Sequence, residues 1–423
     1  MSSNKEMYLN FRDKIFEALD AEIIASLSKE ALTTQIQGAV EVLATGYHRP
    51  VPSLMKSNLV KGFVDELTGL GPLQPLIEDQ SVTDIMVNGP NHIYFERSGK
   101  LQRSEVTFVN EQQLLEIAKR IVAKIGRRVD ESSPMVDARL EDGSRVNIVI
   151  SPVAIDGTAI SIRKFRDQKM GLEELMGFGS MSADMARVLM IAARCRLNIL
   201  VSGGTGSGKT TLLNALSQYA SEDERIVTIE DAAELKLLQP HVVRLETRAA
   251  STENTGAVSQ RDLVINALRM RPDRIILGEC RGSEAFEMLQ AMNTGHDGSM
   301  STLHANTPRD AMARVEAMVM MANLSLPLEA IRRTIVSAVN LVVQVNRLRD
   351  GSRKITSIAE VVGLEGDSVV MEEIFRFEAA ETQQLEQVQG KFTTGGIMQR
   401  SELVKRAKFF GLEDELMAAF RGD

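Results

Sequence analysis

Residues 203 to 210 carry the most specific chemical pattern in the chain. They read Gly-Gly-Thr-Gly-Ser-Gly-Lys-Thr and match G-x-x-x-x-G-K-[ST], the pattern of loops that bind nucleotide phosphates. Glycines let the backbone fold around an anion, and the N–H groups that open the following helix point towards it. Lys209 would reach the β and γ phosphates, and the hydroxyl of Thr210 would bind Mg2+. We expect the nucleotide to be bound by this loop and the next residue: Gly203, Gly204, Thr205, Gly206, Ser207, Gly208, Lys209, Thr210 and Thr211.

The alternative is a glycine-rich turn without a ligand, and the neighbouring residues argue against it. The run Leu197 to Val201 before the loop is apolar and typical of a buried strand. The stretch Lys209 to Ala220 after it carries leucines at helical spacing. Strand, glycine loop and helix in this order form the architecture in which phosphate loops occur.

Acidic residues follow two further apolar runs, each as long as a short strand. Arg225 to Ile229 is followed by Glu230 and Asp231, and Arg274 to Gly278 is followed by Glu279. Ligands of parallel α/β sheets gather where the strands end. We therefore expect these carboxylates to lie near the bound phosphates.

Nucleotide hydrolysis would use these carboxylates in two roles. Glu279 and Asp231 are candidates to hold Mg2+, directly or through its water shell. Glu230, Asp231 or Glu234 could position or deprotonate the attacking water. The alternative for an acidic residue at a strand end is a helix cap or a solvated turn.

Two histidines flank a polar segment further along the chain. They are His296 and His304, and Met300 to Leu303 ahead of His304 is another candidate strand. A histidine that contacts the γ phosphate would couple nucleotide state to movement of its neighbours, so both are candidate catalytic residues. An isolated histidine is more often a core or surface residue. Metal binding by the pair is a weaker hypothesis, because no cysteine lies between them.

The elements that must position these residues divide the chain into predicted segments. Apolar residues at four-residue steps, Phe11, Ile15, Leu19, Ile23 and Leu27, predict a helical leader, which could dock a partner or pack on the next domain. Short alternating runs after Val82 predict a small mixed domain. The segments are a leader (1–52), a small α/β domain (53–165), a linker (166–180), a phosphate-loop domain (181–375) and a C-terminal segment (376–423).

Composition narrows the class of protein. A chain of 423 residues can form two or three domains. Because no apolar leader peptide and no run of 18 apolar residues occurs, we expect a cytoplasmic protein. Two cysteines are too few for a disulfide scaffold or a four-cysteine zinc site. A net charge of -8 and the absence of tryptophan argue against direct nucleic-acid binding.

Four stretches in this order resemble the motifs of the secretion ATPases: the phosphate loop, an acidic box, an atypical second acidic motif ending in glutamate, and a histidine box. They are Gly203–Thr210, Thr228–Asp231 with Glu234, Arg271–Glu279 and Gly295–His304. Three further stretches resemble the CpaF/TadA branch, the ATPases of tight-adherence (Flp) type IV pili. They are Gly69–Leu76, Ile85–Pro90 and Ala338–Gly351.

This resemblance implies a fold class and a working assembly. The fold would be α/β, a RecA-like phosphate-loop domain with a smaller mixed N-terminal domain and the helical leader. The family works as a cytoplasmic homo-hexamer that splits ATP with Mg2+, meets the inner membrane only through pilus platform proteins, and moves one domain against the other. Arginines of the small domain reach the phosphates, and those at matching positions are Arg139, Arg145 and Arg163.

Three other functions are alternatives to the pilus ATPase. A type IV secretion ATPase of the VirB11 kind shares all four motifs. A RecA-like nucleic-acid translocase is disfavoured by the net charge of -8. A GTP-binding switch would need an Asn-Lys-x-Asp motif after the phosphate loop, and none occurs there.

Overall fold

The computed structural model describes residues 3–19, 27–97, 99–140, 142–165, 170–248, 256–322, 326–380 and 388–421. The chain forms two compact units, Met1–Arg166 and Asp167–Asp423. Each has a hydrophobic core of its own.

Among the described residues, the first unit begins with three helices, α1 (Ser3–Ala18), α2 (Lys29–Thr45) and α3 (Ser53–Thr68). Their apolar faces share one core cluster, in which Phe11 of α1 and Phe63 of α3 are almost fully buried. The leader therefore packs on the next helix, as one of the two alternatives predicted, and partner docking stays a prediction.

The predicted leader stripe differs from the structure at Leu19 and Leu27. Helix α1 ends at Ala18, so Leu19 and Leu27 lie outside any helix, although both pack against the same cluster. Ile23 lies outside the described residues. Apolar spacing reports which residues are buried, and loops at the edge of a core can bury them as well as helices.

A buried carboxylate ties the leader to the rest of the first unit. The side chain of Glu66 on α3 is fully buried, and it accepts hydrogen bonds from Tyr8 Oη (3.0 Å), Arg12 Nε (2.7 Å) and Gln113 Nε2 (2.6 Å). A buried charge is tolerated when its hydrogen-bonding capacity is satisfied in this way. Burial and the charge of Glu66 raise the pKa of Tyr8, so its hydroxyl stays a donor.

An antiparallel sheet forms the remainder of the first unit. Its strand order is β3-β2-β1-β6-β5-β4. Helix α5 covers the sheet with an apolar face that includes Leu114, Ile117 and Ile121, and Asn110 caps its N-terminus. The elements are a 3-10 turn (Gly71–Leu73), α4 (Gln74–Glu78), β1 (Val82–Asn88), β2 (Ile93–Arg97), β3 (Lys100–Arg103), α5 (Glu111–Lys124), β4 (Met135–Arg139), β5 (Arg145–Val149) and β6 (Ala159–Arg163).

In its described residues, the second unit is built on a nine-stranded sheet of order β15-β14-β13-β12-β7-β11-β10-β8-β9. The strands from β12 to β9 in this order are parallel, and β13 to β15 continue the sheet antiparallel. The strands are β7 (Ile199–Gly203), β8 (Ile226–Glu230), β9 (Val242–Glu246), β10 (Arg274–Leu277), β11 (Met300–Leu303), β12 (Leu341–Arg347), β13 (Arg353–Glu365), β14 (Ser368–Ala379) and β15 (Gly390–Thr394).

Helices cover both faces of this sheet, which gives two separate core clusters. The central strands β7, β8, β10 and β11 are buried along their whole length, as expected for parallel strands between helical layers. The helices are α6 (Leu172–Gly177), α7 (Ala183–Arg194), α8 (Lys209–Ser217), α9 (Gln260–Ala267), α10 (Glu284–Asn293), α11 (Pro308–Met320), α12 (Leu328–Ala338), α13 (Glu402–Phe409) and α14 (Glu413–Ala418).

Part of the segment predicted as a linker, 166–180, is ordered. Residues 166–169 lie outside the described residues, but α6 follows, and Leu172 is buried in the core of the second unit. The glycines that suggested a linker lie at the two ends of this helix: Gly171 is its N-cap and Gly177 is its last residue. The C-terminal segment is also part of the second unit, since Leu403 and Leu416 are buried in the same cluster.

No helix among the described residues is long and apolar enough to span a membrane.

Candidate active site

The phosphate loop runs from the end of β7 into α8 with the backbone that its glycines allow. Gly206 and Gly208 have φ of 69° and 101°, a region in which side chains are strained. A Cβ at Gly203 would lie 2.2 Å from the carbonyl oxygen of Val345 on the neighbouring strand. The loop is therefore held close to β12 and curved into α8, whose first turn contains Thr210 and Thr211, both half-buried.

Lys209 is the cation of this loop. Its residue is 8% exposed, and Nζ donates to the carbonyl oxygens of Gly203 and Gly204, each at 3.0 Å. The hydroxyl of Ser207 is buried without a hydrogen-bond partner among the described residues. A buried ammonium, an orphaned hydroxyl and a helix N-terminus fit the phosphate groups of a nucleotide. Thr205 is exposed and Gly204 half-buried beside them.

Sheet order decides which strand ends lie next to this loop. Strand β11 pairs with β7, β10 with β11, and β8 with β10, all parallel. Since parallel strands end at the same edge, the residues follow in one row: the phosphate loop, His304 after β11, Glu279 after β10, and Glu230 with Asp231 at β8.

Side-chain contacts run along this row. Nε2 of His304 lies 3.5 Å from Lys209 Nζ and 2.8 Å from Glu279 Oε1. Arg281 then joins the two acidic positions, with Nη2 at 2.7 Å from Glu279 Oε2 and Nη1 at 3.3 Å from Asp231 Oδ2. Four residues predicted from separate motifs are thus brought together.

The charges of this row hold Glu279 ionised and His304 neutral. Burial opposes ionisation of Glu279, but the hydrogen bond and charge of Arg281, with the charge of Lys209, hold its pKa below the usual range. Burial and then the charge of Lys209 lower the pKa of His304, against the opposing effect of Glu279. A neutral imidazole between a carboxylate and an ammonium can donate or accept, depending on its tautomer.

Glu230 is the most deeply buried of the acidic residues, at 3% exposure. Its Oε1 accepts from the N–H groups of Glu234 and Leu235, each at 2.9 Å, and Oε2 has no partner among the described residues. Burial raises its pKa to about 7, although the two N–H groups lower it. A carboxylate with one free oxygen and a pKa near neutrality suits a general base. Glu234 contributes to this arrangement through its backbone N–H, which donates to Glu230 Oε1.

The structure places His296, predicted as a candidate catalytic residue, at the opposite edge of the sheet from His304 and the phosphate loop. It precedes β11, whereas His304 follows it, so the whole strand separates them, on the order of 13 Å for four residues. Nδ1 of His296 lies 3.2 Å from the carbonyl oxygen of Ala291. Arg406 of α13 forms an ion pair with the adjacent Asp297 at 3.2 Å.

The three predicted arginines form a row on the first unit. Arg139 pairs directly with Arg145 across β4 and β5, and Arg145 with Arg163 across β5 and β6. Directly opposed residues point to the same face of a sheet, and like charges there are destabilising. Asp137 offsets part of this repulsion, with Oδ2 at 3.4 Å from Arg145 Nη2. Such a row suits an anion with several charges.

The predicted Mg2+ ligands are only partly arranged for a cation. Both oxygens of Asp231 have partners, since Oδ1 accepts from Thr247 Oγ1 at 3.2 Å and Oδ2 faces Arg281. Among the described residues, no cluster of three or more His, Cys, Asp or Glu side chains could hold a metal alone. Mg2+ at nucleotide sites is held by one or two protein groups plus phosphate oxygens, so Thr210 fits as a ligand of that kind, whereas Glu279 would first have to leave His304 or Arg281.

Sequence reasoning missed two arginines at this site. Arg281 lies two residues after Glu279, so the carboxylate and its partner are almost adjacent in sequence. Arg353 lies 147 residues from Gly206, whose carbonyl oxygen it binds, and no local pattern marks it. Unlike Arg281, it could be found only from the pairing of distant strands.

Comparisons with known proteins agree with this geometry. A protein-family model described as "Type II/IV secretion system protein" matches residues 66–403. The chain is 40% identical over 307 residues to a Mycobacterium tuberculosis protein named provisionally as a conjugal transfer protein, covering 71% of this chain and 87% of that one. It is 32% identical over 331 residues to the type IV secretion system protein VirB11 of Bartonella quintana, covering 69% and 92%.

A likeness to a solved structure concerns the fold alone. The ATPase DotB of Yersinia pseudotuberculosis aligns at a TM-score of 0.50 and 17% identity, over 68% of this chain and 78% of that one. The α/β fold class expected from the sequence, with a RecA-like phosphate-loop domain and a smaller N-terminal domain, is confirmed.

Proposed function

The chain belongs to the type II/IV secretion system protein family, and from that premise we propose that it is an ATPase that couples hydrolysis of ATP to work on a membrane-bound machine. One observation carries the proposal. Lys209, His304, Glu279 and Asp231 form a continuous row of contacts, with Arg281, at the edge where the phosphate loop enters its helix.

In this mechanism each residue acts on a particular part of ATP. Lys209 leaves its two carbonyl oxygens and binds the β and γ phosphates, which the first turn of α8 also holds. Mg2+ would be held by Thr210 and Glu279 and would neutralise part of the phosphate charge. Glu230, through its free Oε2, orients the attacking water and receives its proton.

His304 links the phosphates to the acidic row. Its contacts with both Lys209 and Glu279 make it sensitive to any movement of Lys209 towards a phosphate. By the resemblance to the secretion ATPases, the row Arg139, Arg145 and Arg163 would supply further positive charge for phosphate oxygens. Guanidinium groups remain charged throughout the cycle, so they can bind both substrate and product.

The biochemical test is ATP hydrolysis by the purified chain, measured as phosphate release. Lys209→Ala should lower the rate at least about 100-fold, because the transition-state charge loses its cation. Lys405→Ala is the matched control, since Lys405 is an exposed residue of α13. A wild-type protein that neither binds nor hydrolyses ATP would overturn the proposal.

We further propose that the machine is a tight-adherence (Flp) type IV pilus system, in which the protein is a cytoplasmic homo-hexamer at the inner membrane. The support is the likeness of Gly69–Leu76, Ile85–Pro90 and Ala338–Gly351 to that branch. The test is deletion of the gene with imaging of surface fibres, complemented by the wild-type and Lys209→Ala forms. Fibres that persist with Lys209→Ala would exclude an essential role as the pilus motor.

A VirB11-like role in type IV secretion is the second candidate. The 32% identity to VirB11 of Bartonella quintana over 92% of that protein favours it. The two candidates differ in what is lost on deletion. Loss of protein or DNA transfer with normal surface fibres would support secretion, whereas loss of fibres with normal transfer would support the pilus.

A further inference from the structure

The hairpin of β12 and β13 borders the phosphate loop. Strand β12 runs parallel to β7, with Val345 paired to Gly203, so its last residues lie beside the loop. Arg347 at the end of β12 pairs directly with Arg353 at the start of β13. Two guanidinium groups are therefore placed at the turn from β7 into α8.

Arg353 contacts the loop at two glycines. Its Nε donates to the carbonyl oxygen of Gly206 at 2.9 Å. A Cβ added to Gly208 would lie 3.4 Å from Cδ of Arg353. A Cβ added to Gly206 would lie 3.5 Å from Nη1 of Arg347. Both glycines have positive φ, so the arginines cover the part of the loop with the least usual backbone.

The hairpin is rigid enough to define the position of Arg353. In its turn, Asp350 Oδ1 accepts from Ser352 N (2.9 Å) and Oγ (2.6 Å), and Leu348 N donates to Ser352 O at 2.8 Å. On the other side of Arg353, Lys354 Nζ donates to Gly179 O at 2.6 Å. Both flanks of Arg353 are thus anchored independently of the loop.

We propose that Arg353 is a positioning residue of the nucleotide site, an inference that rests on the proposed function. In a trans peptide the carbonyl oxygen and the next N–H point in opposite directions. By holding the oxygen of Gly206, Arg353 fixes the orientation of the peptide that joins Gly206 to Ser207. Without this bond the peptide can turn and present its oxygen, which repels phosphate, to the nucleotide.

Two substitutions at Arg353 separate its hydrogen bond from its charge. The side-chain nitrogen of glutamine is as many bonds from Cα as Nε of arginine, so Arg353→Gln keeps a donor for Gly206 O but removes the charge. Arg353→Met removes both the donor and the charge, and its side chain reaches as many bonds from Cα as Nε of arginine. The matched control is Arg376→Met, which removes an exposed arginine of the neighbouring strand β14 that pairs with Glu378 and is given no part in holding the loop.

The experiment titrates the full chain with the fluorescent analogue mant-ATP and repeats the titration in competition with inorganic triphosphate. We expect Arg353→Met to weaken both ligands about tenfold and to raise KM for ATP with little change in kcat. Arg353→Gln should stay within about threefold of wild type, and Arg376→Met should match wild type. Thermal unfolding of each variant verifies that the folded chain is being titrated.

Two results would overturn the inference. Wild-type affinity in Arg353→Met would show that the contact does not order the loop. Equal weakening by Arg353→Met and Arg353→Gln would show that charge, and not the hydrogen bond, matters. A wild-type chain that binds neither ligand would instead overturn the proposed function itself.

Discussion

Nε2 of His304 lies 2.8 Å from Oε1 of Glu279, and this contact joins the ends of two neighbouring parallel strands, β11 and β10. The same nitrogen lies 3.5 Å from Lys209 Nζ. If Lys209 moves towards a bound phosphate, its contact with His304 changes, and His304 in turn contacts Glu279. This arrangement makes the two residues act as a unit.

The first prediction concerns the coupling of Glu279 and His304. Glu279→Gln should lower kcat about 100-fold with little loss of nucleotide affinity, and His304→Asn about tenfold, because each disrupts the same row of charges. The double variant should be no slower than Glu279→Gln alone. The measurement is a double-mutant cycle on steady-state hydrolysis, with Lys405→Ala as the control.

Strictly additive effects in that cycle would show that the 2.8 Å contact has no role in catalysis. A normal kcat in Glu279→Gln would remove this residue from the mechanism altogether.

The second prediction concerns Glu230 and pH. Burial raises its pKa from 4.5 to about 7, so the folded chain favours the protonated form. The raised pKa of Glu230 adds to the free energy of unfolding at low pH. This contribution is fully present below about pH 4.5 and is lost as pH rises through about 7. Glu230→Gln keeps an oxygen for the two N–H donors and cannot ionise. Between pH 4.5 and 8 the free energy of unfolding should shift in favour of the variant by about 3 kcal/mol.

Urea unfolding of both proteins at several pH values measures this shift. A difference between variant and wild type that does not change with pH would show that Glu230 has an ordinary pKa. In the wild type, kcat should rise with pH through about 7 if Glu230 is the base. The variant should lose both the activity and this dependence.

The third prediction concerns Arg274, which is fully buried at the opposite edge of the sheet. Its Nε and Nη2 donate to the carboxylate of Glu224, and Nη1 donates to Ala193 O at 2.8 Å. Arg274→Met takes the fully buried cation away from the Glu224 carboxylate, whose side chain is only 12% exposed, so it should cost about 3–5 kcal/mol of stability. Thermal unfolding is the measurement.

The control for this change is Arg333→Met. Arg333 pairs with Glu329, but both side chains are exposed, at 71% and 62%, so the loss should be below about 0.5 kcal/mol. Similar losses in the two variants would show that the buried pair contributes no more than an exposed one.

The fourth prediction concerns the leader helix. Phe11 is 1% exposed in the core shared by the first three helices. Phe11→Ala should weaken the packing of α1 by about 3–5 kcal/mol and speed its cleavage by a protease. Lys14→Ala, an exposed position on the same helix, should leave the cleavage rate unchanged. Equal rates for both variants would mean that α1 does not depend on this core.

Local patterns predicted most of the elements that carry the site. The strand Met300–Leu303 has the predicted bounds, β8 is shifted by one residue at both ends, and β10 ends one residue earlier than predicted. Buried parallel strands read as short apolar runs, and their ends are where polar residues begin. The leader shows the limit of such patterns. Apolar steps continue to Leu27, but the helix ends at Ala18, because burial and not helical phase is what the pattern records.

The amino-acid sequence by itself determined the chemistry of this protein: a phosphate loop, carboxylates after two strands, and a histidine after a third. Tertiary structure alone decided which of these meet. The order β7-β11-β10-β8 placed His304 between Lys209 and Glu279, and it left His296 at the other edge. It also brought Arg353 to Gly206 across 147 residues. Spacing along a chain records local conformation, whereas neighbours in a sheet depend on which strands pair, and pairing depends on the burial of the whole core.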